Sequence, residues 1–136
     1  MILVDTEPLV VVLDADDHHH LEWTNLLEQV SGPLVVPITV IVEVCQIAER
    51  VRGPVAEAAF LRSITAGELV VEQLSSADLV RAAELVDVYA DLGLGLVDAS
   101  VVAIAERLNI TTIATLDRRD FHVVRPRHVD TFELIP

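Results

Sequence analysis

Ile2-Leu3-Val4-Asp5-Thr6-Glu7-Pro8 is the stretch on which the fold turns. Three consecutive apolar residues, two of them β-branched, read as a short strand buried on both faces. Asp5 closes that strand, and Pro8, with its fixed φ and missing N–H, suits the first turn of a helix running through Leu13. A strand passing straight into a helix is the start of a βα unit. An acid at the end of a buried strand also needs a partner or a metal, because a lone buried carboxylate is costly.

The same alternation continues along the chain. Leu34-Val35-Val36, Leu69-Val70-Val71 and Thr112-Ile113-Ala114 are further strand candidates. Between them lie helix-sized stretches. One follows an Asp16-Asp17 cap, carries Leu21, Leu26, Leu27 and Val30, and stops at Gly32-Pro33. Another begins at Thr39 and runs through Val51, where Gly53-Pro54 divides it from the next. Ser75-Ser76-Ala77-Asp78 is a capping-box variant, opening a helix predicted to turn Leu79, Ala82, Val86, Tyr89 and Ala90 inward. Asp98 is read as opening a last long helix to Leu108. Strands alternating with helices predict an α/β fold: a three-layer sandwich with a short, mostly parallel sheet flanked by helices, as one domain over 1–136.

Composition agrees. The 136 residues are 52% hydrophobic but only 4% aromatic, so the core is aliphatic and the chain is not disordered. No apolar run approaches the ~20 residues of a membrane span, and the N-terminus lacks the basic stretch of a signal peptide. Cys45 stands alone, which excludes an internal disulfide and suits a reducing cytoplasm. Val44 and Ile47 beside it point to a buried, inert thiol.

In an open parallel sheet, ligands bind beyond the carboxyl ends of the strands. Asp5 and Asp117 leave two strands at that edge, and Glu43 and Asp98 are placed in the first turns of helices that face it. Four converging carboxylates repel one another unless a cation is bound. All-oxygen ligands suit a hard divalent ion, Mg²⁺ or Mn²⁺. Each acid also has a plainer reading. Asp98 can be an N-cap, Glu43 can lie on a wet stripe with Thr39, Gln46 and Arg50, and Asp117 can cap a turn with Asp120 in its place.

The formal net charge of −13 opposes binding of a polyanion at long range. However, all nine basic residues are Arg, and Arg118, Arg119, Arg125 and Arg127 cluster with His122 and His128. Their planar forks suit phosphate, although ordinary surface ion pairs would account for them equally well.

Asp5-Thr6-Glu7-Pro8-Leu9, followed by Leu13-Asp14-Ala15-Asp16-Asp17-His18-His19, closely resembles the opening of PIN-domain ribonucleases of the VapC toxin type. The resemblance continues through Thr39–Glu43, Gly95-Leu96-Val97-Asp98-Ala99-Ser100 and Thr115-Leu116-Asp117-Arg118-Arg119-Asp120-Phe121. It implies that Asp5, Glu43, Asp98 and Asp117 form a catalytic quartet, with Asp5 and Asp98 binding the metal. It further implies that Thr6 and Thr115 orient carboxylates. From the arginine cluster itself, Arg118, Arg119 and Arg125 are expected to contact RNA. The activity implied is endoribonucleolytic cleavage of a structured RNA, tRNA or rRNA, by a homodimer held inactive by a cognate antitoxin. RNA loops with splayed bases are the usual specific targets. Glu7 departs from the pattern, standing where this family often has Gly.

Two rivals belong to other classes. Val10-Val11-Val12-Leu13-Asp14-Ala15-Asp16 looks like the strand-then-Asp-x-Asp start of haloacid-dehalogenase phosphatases, with Asp14 as nucleophile. Those enzymes usually need a Lys, and this chain has none. A degenerate, non-catalytic binding domain would keep the acids as a passive ion site. His18-His19-His20 is read as a polar helix start, since adjacent helical residues point apart and cannot chelate one ion. Trp23 and Tyr89 are too few for a base-stacking platform and are assigned to the core or a dimer contact.

Overall fold

The computed structural model describes residues 1–67 and 69–136. Five strands, β1 (Ile2–Val4), β2 (Leu34–Pro37), β3 (Leu69–Glu72), β4 (Thr112–Ala114) and β5 (Glu133–Ile135), form one sheet in the order β3-β2-β1-β4-β5. Every pairing is parallel. The helices are α1 (Thr6–Leu13), α2 (His20–Gln29), α3 (Ile38–Thr65), α4 (Ser76–Val88), α5 (Leu96–Leu108) and α6 (Arg118–Val123).

The chain builds β1, β2 and β3 in one direction, then returns past β1 to add β4 and β5 on the other side. Parallel crossovers are right-handed, so reversing direction puts the later helices on the opposite face. Accordingly α1 packs on α2 and α3, whereas α4 packs on α5. The three-layer α/β expectation holds. Its middle layer is the run of aliphatic residues read from the sequence: Leu3, Val4, Val35, Val36, Ile113 and Ala114 are each no more than 2% exposed. Trp23 joins this core. No helix among the described residues is long and apolar enough to cross a membrane.

Several boundaries move, each for a physical reason. Asp14 and Asp17 use their carboxylates to bond the backbone N–H groups two residues on, forming tight turns, so α2 starts only at His20. Gly53 divides α3 at a φ of 79°, a conformation that suits glycine, and Pro54 restarts the helix. The capping box at Ser75 and Asp78 is complete. The inward face of α4, however, is Asp78, Ala82 and Leu85; Leu79, Val86 and Ala90 are exposed and Tyr89 is half-buried. Arg107 of α5 reaches Asp78 and rotates that face toward α5. Strand β5 and helix α6 are additions that the sequence patterns do not mark. Phe132 and Leu134 are buried around exposed Glu133, a period-two pattern too short to stand out without β4 to pair with.

Candidate active site

Strands β1 and β4 are adjacent and parallel at the point where the chain reverses its direction across the sheet. Their carboxyl ends therefore open into one crevice. Asp5 follows Val4 directly, and its N–H donates to the Ala114 carbonyl at 3.0 Å, fixing it to the end of β4. Asp117 lies just beyond β4. Glu43 comes from α3 and Asp98 from α5. A cleft of about 390 Å³ is lined by all four acids together with Thr6, Glu7 and the Gly95–Val97 turn.

Asp98 lies in the first turn of α5, as expected; it is the third helical residue, behind the Gly95 cap, so the N-cap alternative falls away. Glu43 is the sixth residue of α3 and lies in its second turn, not its first. Among the described residues neither carboxylate accepts a hydrogen bond. Helix α5 buries Val101, Val102 and Ala105 completely. This anchors Asp98 at the cleft without tying down its carboxylate.

Asp5 is only 5% exposed. Burial raises its pKa to about 6, opposed by hydrogen bonds from the Thr6 backbone and the Thr115 hydroxyl and reinforced by Glu43 and Glu7. Thr115 donates to Asp5 Oδ2 at 2.9 Å and accepts from the Asp117 N–H at 2.9 Å, so one buried hydroxyl links two of the acids. Thr6 acts differently: its backbone serves Asp5, while its buried hydroxyl has no partner. Thr115→Val keeps the shape and removes both bonds. Stability should fall by about 1–3 kcal/mol, the cost of orphaning buried polar groups, and Mn²⁺ affinity by at least about tenfold. Thermal melts and calorimetry check the two effects.

On the opposite wall, carboxylate oxygens of Asp98, Asp117 and Asp120 all lie within 4.8 Å of one another. Burial, then Asp5, Asp117, Asp120 and Glu43, raise the Asp98 pKa to about 7. Burial and Asp117 also push Asp120 up. The alternatives for Asp117 prove compatible: its carboxylate caps α6 by accepting from the Asp120 N–H, and Asp120 stands beside it in the cluster. Glu7 contributes a further carboxylate, raised by burial, Asp117 and Glu43. The raised pKa values of Asp5, Glu7, Asp98 and Asp120, in a cleft that no basic side chain lines among the described residues, fit a hard divalent cation.

The arginines divide. Arg127 is paired with Glu84, Arg125 donates to the His122 carbonyl, and Arg118 donates to the Pro136 carbonyl. Arg119 makes no hydrogen bond or ion pair among the described residues, and it sits close enough to Asp120 to oppose that acid's upward shift. Tyr89 anchors this region by accepting from the Arg125 N–H at 2.8 Å.

The structure removes the phosphatase alternative. Val10–Leu13 is helical, and Asp14 and Asp16 bind Arg52 away from the strand ends. His20 approaches the Val11 carbonyl and His19 pairs with Glu22. Cys45 is half-buried, and burial and then Glu57 raise its pKa, which keeps the thiol protonated. Ser100 is a residue of the site region to which the sequence alone assigns no role. Its signal was a hydroxyl among Ala99, Val101 and Val102, and the structure buries it fully against Thr39.

The PIN domain family model matches residues 2–125. Ribonuclease VapC26 of Mycobacterium tuberculosis is 32% identical over 135 residues, covering 99% of this chain and 100% of that protein. Among solved structures, the sarcin-ricin loop cleaving toxin VapC20 of M. tuberculosis superposes with a TM-score of 0.81 at 20% identity, over 88% of this chain and 92% of that one. VapBC2 of Rickettsia felis, bound to a promoter DNA fragment, gives a TM-score of 0.69 at 17% identity, over 99% and 98%. The sheet order, the acidic cleft and these matches agree, and the chain belongs to the PIN-domain family, in its VapC branch.

Proposed function

We propose that the chain, acting as one nuclease domain over residues 1–136, is a metal-dependent endoribonuclease toxin neutralised by a cognate antitoxin. The observation that carries this reading is the convergence of Asp5, Glu43, Asp98 and Asp117 on one cleft at the carboxyl ends of β1 and β4. The 32% identical relative is a ribonuclease, and solved relatives include toxin–antitoxin complexes.

Asp5 and Asp98 are assigned to hold Mg²⁺ or Mn²⁺, with Asp117 and Asp120 beside them. When bound, the ion supplies an activated water and charge stabilisation at the scissile phosphate. Thr115 holds Asp5 and the start of the Asp117 turn in register. Glu43 orients the attacking water. Arg119, which makes no hydrogen bond or ion pair among the described residues and lies beside Asp120, receives substrate phosphate, with Arg118 and Arg125 on the same flank. The negative surface disfavours indiscriminate RNA binding, which favours a structured loop presented to the cleft over a bare strand.

Inducing the protein in cells and mapping the 5′ ends of cellular RNA, beside an Asp98→Asn control, tests this reading. New ends confined to one or a few tRNA or rRNA loops, absent from the control, are expected. Identical end patterns in both would support the non-catalytic binding domain instead.

A further inference from the structure

Glu43 and Asp98 reach the cleft from helices on opposite faces of the sheet, so sheet pairing alone does not set their separation. One contact between those helices is polar. Thr39 Oγ1 and Ser100 Oγ lie 2.6 Å apart although the residues are 61 positions apart in the chain. Ser100 donates its only hydroxyl proton to the Val97 carbonyl at 2.7 Å. It must therefore accept from Thr39, giving a directed chain from Thr39 to Ser100 to Val97.

Its position makes this chain consequential. Thr39 is one helical turn before Glu43, on the same face of α3. Ser100 and Val97 belong to the opening turns of α5, which carry Asp98. The bond thus joins the turn of α3 just before Glu43 to the opening turns of α5 from which Asp98 projects. Burial alone does not call for a hydroxyl here: Ser100 is fully buried, its neighbours along α5, Ala99, Val101, Val102 and Ala103, are buried apolar residues, and alanine is smaller than serine. Replacing both members of a buried hydroxyl pair with apolar groups of similar shape is close to neutral for stability. The hydroxyls fix a direction that apolar contact leaves free.

We propose that the Thr39–Ser100 hydroxyl pair is a positioning device, locking α3 to α5 so that Glu43 is held against the carboxylates of Asp5 and Asp98. This rests on the reading of those acids as an ion site. Calorimetric titration of the metal-free protein with Mn²⁺ tests it without recourse to activity. The Thr39→Val/Ser100→Ala double variant should melt within about 2 °C of the parent yet bind Mn²⁺ about tenfold more weakly, because the pair also holds the opening turn of α5 that carries the assigned ligand Asp98. Ser100→Ala alone should show the same loss of affinity, and Thr39→Ser, which keeps the hydroxyl, should restore parental binding. Unchanged Mn²⁺ affinity in both the double variant and Ser100→Ala would overturn the proposal. An Asp98→Asn protein that binds Mn²⁺ like the parent would instead sink the ion-site reading beneath it.

Discussion

Asp98→Asn should lower RNA cleavage by at least about 10³-fold and, in the same protein, raise the melting temperature of the metal-free form. The loss follows from removing a charged ligand from the cleft; a single misplaced electrostatic contact to a developing charge already costs about 10²–10³-fold. The gain follows from repulsion. Asp98 shares its wall with Asp117 and Asp120, oxygen atoms within 4.8 Å, and its pKa is pushed to about 7 by burial and by its acidic neighbours. At neutral pH the metal-free fold therefore carries an unfavourable charge that Asn lacks. Allowing for solvent screening of a half-buried group, the gain is about 1–3 kcal/mol, several degrees for a chain of this size. Single-turnover cleavage and thermal melts in chelator measure the two effects. Lowered apo stability with cleavage retained would show that the acids do not form a strained, functional cluster.

The stability of the metal-free protein should fall as pH rises from about 5 to 8. Asp5 and Asp98 titrate at about 6 and about 7 when folded, above the ordinary value of 3.8. Between those limits the folded state binds more protons than the unfolded chain, so stability decreases with pH and levels off above the folded values. Asp78 and Glu106, lowered chiefly by Arg107 and Arg81 against the cost of burial, work in the opposite sense but only at more acid pH. Asp98→Asn should flatten the slope by roughly half, since it removes the larger shift. Excess Mn²⁺ should raise the melting temperature more at pH 8 than at pH 5.5, because a bound cation displaces protons. A pH-independent difference between parent and Asp98→Asn in chelator would contradict the shared-charge account.

The first βα unit was legible in the sequence because its information is local. Ile2-Leu3-Val4 cannot be left in water, Asp5 cannot be left buried without a partner, and Pro8 restarts the chain as a helix. The same locality exposed the strands at Leu34, Leu69 and Thr112, the break at Gly53-Pro54 and the capping box at Ser75. Family resemblance supplied Glu43, whose stripe with Thr39, Gln46 and Arg50 has no buried pattern to mark it.

What the tertiary structure decided depends on pairs far apart in the chain. Strand β5 exists as a strand because β4 offers it an edge. The inner face of α4 follows from Arg107 meeting Asp78, not from the apolar stripe of α4 itself. Arg118, Arg125 and Arg127 take partners within the protein, whereas Arg119, beside Asp120, has none among the described residues, a distinction invisible in a run of similar residues. Asp5 was identifiable from the outset as a charge needing a partner, since desolvation acts on each residue where it stands. That Asp117 and Asp120 both face Asp98 required the sheet order, because repulsion between carboxylates depends on distance in space, and only the fold sets that distance.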